Sequence, residues 1–282
     1  MSHIISKPNR FIKPRFEWRP RLIPEHPLSQ GLILFLIFNE GAGTKLYDLS
    51  PKGHMGLLSD FNFNANSGWC SEKFGVALKC DGVNDIISIT DYSQCLAPPS
   101  LTFVANLRIL SYSQNDRIVT KKPNLSWNAN SGWSLEVVDG STFVFLASGG
   151  SYTGNLTIPW STDEWFQIAI VKKEGESEVY GYKNGLYQDS QTVGDPIVAN
   201  DQSLVLCAYP FYDMYSNIII DHVRVYNRAL SSSEIQELYL NPFCNLEIPV
   251  YRKYWYVTEE APSFNPAWAK QSNVFIGSGA IL

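Results

Sequence analysis

Long apolar runs, paired cysteines and histidine motifs are all scarce in this 282-residue chain. No stretch of 18 apolar residues occurs, so no segment has the length of a membrane-spanning helix, and no membrane partner is expected. The five cysteines, at 70, 80, 95, 207 and 244, are odd in number and show no metal-like pairing, which predicts reduced thiols in a protein made in a cytosol. The opening Met1-Ser-His-Ile-Ile-Ser-Lys-Pro lacks the apolar core of a secretory signal, so export by that route is not expected. Four histidines, His3, His26, His54 and His222, form no His-x-His or His-Glu-x-x-His motif.

Closely spaced acids on one strand are also missing. A glycoside hydrolase places two carboxylates on the same sugar bond, so both must project from one face. Glu136 and Asp139 fall on opposite faces of an alternating strand. Glu174, Glu176 and Glu178 have a suitable spacing, but their Lys-Lys-Glu-Gly-Glu-Ser-Glu context reads as a solvated hairpin tip. The expectation is a protein that is not an enzyme, with glycoside hydrolysis disfavoured.

What is present is unevenly placed. Residues 1–28 hold six basic side chains (Lys7, Arg10, Lys13, Arg15, Arg19, Arg21) against Glu17 and Glu25, a net +4 in a chain of −5, so the remainder carries −9. Five prolines in the same stretch forbid a regular helix and predict an extended arm. Phe11, Phe16 and Trp18 interleave with Arg15, Arg19 and Arg21, an apolar content unusual in a solvated tail. Two readings stand: a nucleic-acid-touching tail, and an arm docked on a neighbouring subunit, of which docking is favoured. At the other end, residues 242–282 carry Tyr251, Tyr254, Trp255, Tyr256 and Trp268 without a clean period, and read as a docking tail that packs on the body or on another chain.

Between them lies a β pattern. Leu32 to Phe38 is a continuous apolar run suited to a central strand, and Asp139-Gly140 and Asn184-Gly185 are hairpin turns. From Ile218 the chain alternates, with Ile218, Ile220, His222, Arg224 and Tyr226 on one face and Ile219, Asp221, Val223 and Val225 on the other. Ser231 and Glu234 then make a capping box, Leu230 and Ile235 a hydrophobic staple, and Ile235, Leu238 and Tyr239 a short helical face ending at Asn241-Pro242.

The run Ile-Asp-His-Val-Arg-Val-Tyr-Asn-Arg-Ala-Leu-Ser-Ser-Ser-Glu-Ile, residues 220–235, resembles the C-terminal signature of laminin-G-like, concanavalin A-like jelly-roll domains. Phe38-Asn-Glu-Gly41 with Asp48-Leu-Ser, Ala77-Leu with Asp81-Gly82, Trp165-Phe-Gln-Ile-Ala169 and Tyr182-Lys-Asn-Gly185 match other pieces of that pattern in order, over roughly residues 26–241. The resemblance implies an all-β, two-sheet antiparallel jelly-roll sandwich with one short C-terminal helix, spanning 29–241 between the two arms. It also implies a structural Ca²⁺ held by carbonyl oxygens of Glu40 and Gly43 and by the Asp221 carboxylate, balanced against a reading in which Asp221 caps backbone amides; no other cofactor is required. Carbohydrate binding is the family's common activity, and Trp127, Trp133, Tyr209, Phe211 and Tyr212 are the candidate exposed aromatics, against core packing for each of them. The overall order, with His26-Pro-Leu-x-x-Gly-Leu32 before the jelly roll and an aromatic end after it, resembles virion-associated proteins of tailed bacteriophages. That implies a non-enzymatic structural subunit located in the virion and made in the host cytoplasm. Its partners would be itself, as a homo-oligomer, and a larger protein shell or tail, with surface glycans as the alternative ligand and nucleic acid disfavoured.

Overall fold

The computed structural model describes residues 13–14, 20–91, 93–113, 116–122, 131–147, 152–153, 155–194, 196–210 and 213–247. In chain order the first strands are β1 (Arg21–Leu22), β2 (Leu32–Leu36), β3 (Lys45–Tyr47), β4 (Met55–Ser59), β5 (Gly68–Glu72), β6 (Gly75–Asp81) and β7 (Ile86–Ile89). Next come β8 (Leu101–Ser111), β9 (Asp116–Thr120), β10 (Ser134–Asp139), β11 (Thr142–Leu146), β12 (Tyr152–Thr153), β13 (Leu156–Thr157) and β14 (Trp165–Lys172). The series closes with β15 (Glu178–Lys183), β16 (Leu186–Val193), β17 (Leu204–Leu206), β18 (Ala208–Tyr209), β19 (Met214–Tyr215), β20 (Asn217–Tyr226), helix α1 (Ser232–Leu240) and β21 (Leu246–Glu247).

Two antiparallel sheets face each other. One runs β12-β16-β15-β14-β8-β20-β6-β5, with β2 added along β20; the other runs β13-β11-β10-β9-β17-β7-β4-β3. Between them lies the main core, where Phe103, Leu107 and Ile170 of the first sheet meet Leu135, Phe145 and Leu206 of the second. Each such side chain contributes roughly 1.5–3 kcal/mol by leaving water. A smaller core, with Phe35, Val104, Ala169, Tyr226, Ile235 and Leu238, covers the outer face of the nine-stranded sheet beneath α1. The architecture is the all-β sandwich with one helix that the pattern implies.

Local chemistry places the elements. Asn184 and Gly185 both take positive φ (51° and 79°), the mirror-image turn that matches the twist of β15 and β16. The Ser231 hydroxyl accepts from the Glu234 amide while the Glu234 carboxylate accepts from the Ser231 amide, and Leu230 and Ile235 are buried together beside the cap. Leu32 to Phe38 is apolar for a different reason than expected. β2 pairs along its length with β20 and meets only a single bridge, Leu36 to Asp48, on its other side among the described residues, yet Leu34 and Leu36 enter the main core and Leu32 and Phe35 the smaller one. Two cores, one on each face, demand the continuous run.

The expected alternation of β20 is broken. A register shift between Ile220 and His222 in the ladder with β8 inserts one residue, so Ile218 and Ile220 share the main core with Val223 and Val225. Beyond the bulge, His222, Arg224 and Tyr226 turn to the outer face. The bulge also brings the Asp221 carboxylate beside the His222 ring.

The arm and tail touch the body where they are described. Arg21 and Leu22 pair with Glu247 and Leu246, the Ile23 amide donates to the Asn245 carbonyl at 2.9 Å, and Lys13 is 3% exposed within the fold. At these residues the arm packs on its own domain, where β21 and the buried Asp221 carboxylate supply its partners. The arm residues Phe11, Arg15, Phe16, Trp18 and Arg19 and the tail residues Tyr251, Tyr254, Trp255, Tyr256 and Trp268 lie outside the described residues.

A candidate binding pocket on the outer sheet face

On the outer face of the nine-stranded sheet, β20, β8 and β14 bring three polar residues into one cross-strand row: His222 opposite Asn106, and Asn106 opposite Gln167. The rows on the helix side of it carry Val104, Ala169 and Val171 and are sealed by the smaller core. The polar row opens instead into a pocket of about 640 Å³, walled by Phe74, Trp165, Tyr239 and Phe243. Phe243 meets the His222 ring edge-on at 5.5 Å, and Phe74 meets Trp165 at 6.2 Å.

Buried polar groups usually find partners, so those that do not are informative. His222 and Gln167 are each 3% exposed, yet His222 Nε2 and Gln167 Oε1 have no hydrogen-bond partner. His222 Nδ1 lies 2.7 Å from Asp221 Oδ2; with that carboxylate ionised, Nδ1 carries the proton and Nε2 offers a lone pair. Burial pushes the His222 pKa down to about 4, outweighing the pull of Asp221, so the ring is neutral at pH 7. Burial also raises Asp221, but the Lys13 charge and the His222 hydrogen bond outweigh it and hold its pKa at about 2. The Gln167 amide N–H donates to Asn184 Oδ1 at 2.9 Å, which fixes the backbone beneath the side chain. Two buried acceptors separated by two strand spacings, roughly 9–10 Å, thus belong to residues that line a pocket with aromatic walls. Such a surface suits a ligand with several hydroxyl donors and an apolar ring face.

A family profile of the laminin-G type, described as the Concanavalin A-like lectin/glucanases superfamily, matches residues 81–236, more than half of the chain. The chain belongs to this superfamily. Among solved structures, this superfamily member is similar to the binding domain of Paraclostridial Mosquitocidal Protein 1, with a TM-score of 0.58 at 18% identity, covering 77% of this chain and 53% of that one. It is also similar to the binding domain of botulinum neurotoxin DC in complex with SialylT, with a TM-score of 0.55 at 16% identity and coverage of 75% and 51%. A third is botulinum neurotoxin type C, whose cell entry is described as dependent upon interaction with two ganglioside molecules, with a TM-score of 0.55 at 15% identity and coverage of 75% and 51%. The chain spans about half the length of these structures, and the likeness shows the fold. Curated protein sequences give no match.

The calcium that the superfamily resemblance implies does not fit the residues present. The Lys13 ammonium lies 2.6 Å from Asp221 Oδ1 and also feels the Glu40 charge. Glu40 Oε1 accepts from the Tyr47 amide at 2.9 Å, and the Gly43 carbonyl accepts from the Trp69 indole at 2.9 Å. The Asp221 carboxylate does not cap backbone amides either; its partners are Lys13 and His222.

Two candidate exposed aromatics lie inside. Trp133 is fully buried, 5.7 Å from the Phe103 ring and donating to the Leu96 carbonyl. Tyr209 is 1% exposed, 5.4 Å from the Arg117 guanidinium. Both sit in loop-like sequence contexts but fold onto a sheet that offers them apolar cover and polar partners. Trp127, Phe211 and Tyr212 lie outside the described residues. The carboxylates weighed for hydrolysis are otherwise engaged: Glu136 is paired with buried Arg117, and Asp139 accepts from the Ser141 amide at 2.8 Å in its turn.

The row of His222, Asn106 and Gln167 escaped the sequence reading. Its only trace there is the recurrence of amides at outward positions of otherwise apolar strands, Val104-x-Asn106 and Gln167-x-Ala169. A second set also emerges only in three dimensions. His54, Asp91 and Cys95 have donor atoms within 4.8 Å of one another, a metal-ligating combination, with Asp91 Oδ2 also 3.1 Å from the buried Lys121 ammonium.

Proposed function

We propose that this chain is a non-enzymatic, lectin-like module that binds a glycan in the pocket lined by His222, Gln167, Trp165 and Phe74. The observation that carries the reading is the pair of buried acceptors without partners among the described residues, His222 Nε2 and Gln167 Oε1, on side chains that line an aromatic-walled pocket. A sugar hydroxyl donates to each, and the apolar face of a pyranose packs on an aromatic wall. The likeness to binding domains of toxins supports the reading at the level of fold.

The test is a glycan array followed by calorimetry on the best ligand. Trp165→Ala and Gln167→Leu are each expected to weaken binding at least tenfold while the melting temperature stays within a few degrees. Absence of any glycan ligand, or unchanged affinity in the double variant, overturns it.

A second reading, compatible with the first, makes the chain a subunit of a larger assembly, of the bacteriophage virion kind that its ordering of arm, jelly roll and tail resembles. It draws support from Met55 and Leu57, 48% and 41% exposed on one face of β4 beside the sheet's edge strand β3. Light-scattering mass of the full chain against Met55→Lys/Leu57→Lys tests it. A concentration-dependent oligomer that the pair of lysines dissociates supports the reading; a monomer at every concentration overturns it.

A further inference from the structure

Four oxygens converge on the Lys13 ammonium. They are the carbonyls of Phe38 (3.3 Å), Val76 and Asp221 (2.8 Å), and Asp221 Oδ1 (2.6 Å). Lys13 and Asp221 are 2% exposed in their side chains, so neither charge is offset by solvent. An ammonium has three protons and no preference for so many oxygens, whereas mixed carbonyl and carboxylate oxygens are what a hard divalent cation takes. A second carboxylate stands near: Glu40 is close enough to interact with Lys13, and its Oε2 is buried without a partner. One ammonium balances only one of the two carboxylates. The cage therefore has the oxygens and the negative charge for a cation of charge two.

We propose that Lys13 is a tethered replacement for a divalent cation, and that the oxygen cage it fills is a latent site for a hard cation such as Ca²⁺. The ammonium arrives from a segment far away in sequence: Lys13 and Asp221 are 208 residues apart. The Lys13 amide donates to the Phe74 carbonyl at 3.3 Å and the Pro14 carbonyl accepts from Asn39 Nδ2 at 2.9 Å, so the backbone on both sides of the ammonium is held. The wild-type fold is then indifferent to free calcium. Removing the lysine side chain empties the cage, admits water and turns it into a site for the metal.

The experiment compares the full-length wild type with Lys13→Ala in a calcium chelator and in millimolar Ca²⁺. The wild-type melting temperature is expected to be the same in both. Lys13→Ala is expected to melt about 10 °C lower in chelator, as removal of one partner of a buried pair implies. Calcium should restore several degrees of that and bind one site with a dissociation constant on the order of 10⁻⁴ M. Lys13→Ala/Asp221→Asn should show neither effect. A wild type that chelator destabilises, or a Lys13→Ala that melts like the wild type or gains nothing from calcium, overturns the proposal. If Lys13→Ala does not fold, ¹⁵N-lysine spectra of the wild type decide. A solvent-protected ammonium resonance lost on unfolding supports the tethered cation, and its absence sinks it.

Discussion

The outer faces of the two sheets both interrupt an apolar surface with polar side chains, and they do so to different ends. At the eight-stranded sheet two buried pairs of opposite charge form, Arg117 with Glu136 and, just beyond the strand ends, Lys121 with Asp91 at 3.1 Å, all four nearly solvent-free. On the nine-stranded sheet the row of His222, Asn106 and Gln167 keeps two acceptors unspent. Burial is equal, but the charges of the first set are paired and the two acceptors of the second are not. A matched set holds a fold together, whereas an unmatched one beside a pocket waits for a ligand.

The comparison breaks first if the matched side proves dispensable. Arg117→Met strands the Glu136 carboxylate in the interior and is expected to cost about 3–5 kcal/mol by denaturant unfolding. A loss below 1 kcal/mol would remove the distinction between the faces. Next in size is a pH effect. His222 has a folded pKa of about 4 against 6.5 for the free side chain, so between those values the unfolded chain binds the extra proton. Its contribution is complete above about pH 6.5 and is lost as pH falls through 4, by an amount on the order of 3 kcal/mol. Stability curves of wild type and His222→Gln are expected to diverge over that window, with the shallower slope in the variant; parallel curves would contradict the assignment of a buried neutral imidazole.

A smaller effect sharpens the contrast. Gln167→Leu removes an acceptor without a partner, so stability is expected to hold or rise by up to about 1 kcal/mol while glycan affinity falls. Calorimetry and thermal melting on one preparation separate the two. Smallest of all is Lys173→Ala, which breaks the exposed pair with Glu176 at the β14–β15 turn. It is expected to leave the denaturation midpoint unchanged, because solvent screens an exposed pair, and a clear shift would show that exposed pairs matter here as much as buried ones.

Much of the scaffold was legible because its signals are local. The Asn184-Gly185 turn, the Ser231–Glu234 box and the Leu230–Ile235 staple each need only a few neighbouring residues to be recognised. The site was not, because every part of it depends on something distant. Lys13 meets Asp221 across 208 residues, His54 meets Cys95 across 41, and the bulge in β20 changes which residues share a face without changing composition. Aromatic content misled at Trp133 and Tyr209, since a loop-like context does not reveal whether a sheet lies underneath.

The span between Lys13 and Asp221 also sets a schedule. At 5–20 residues per second, synthesis of the intervening chain takes roughly 10–40 s. Throughout that interval the lysine lacks the Asp221 carboxylate, its ion-pair partner in the finished fold. The residue that neutralises Asp221 is made 208 residues before it. The Lys13–Asp221 contact cannot close until β20 has been made. Closure of this contact is thereby a late event in biogenesis, and a nascent chain stalled before residue 221 has the lysine still free to react with water-borne reagents that the finished fold excludes.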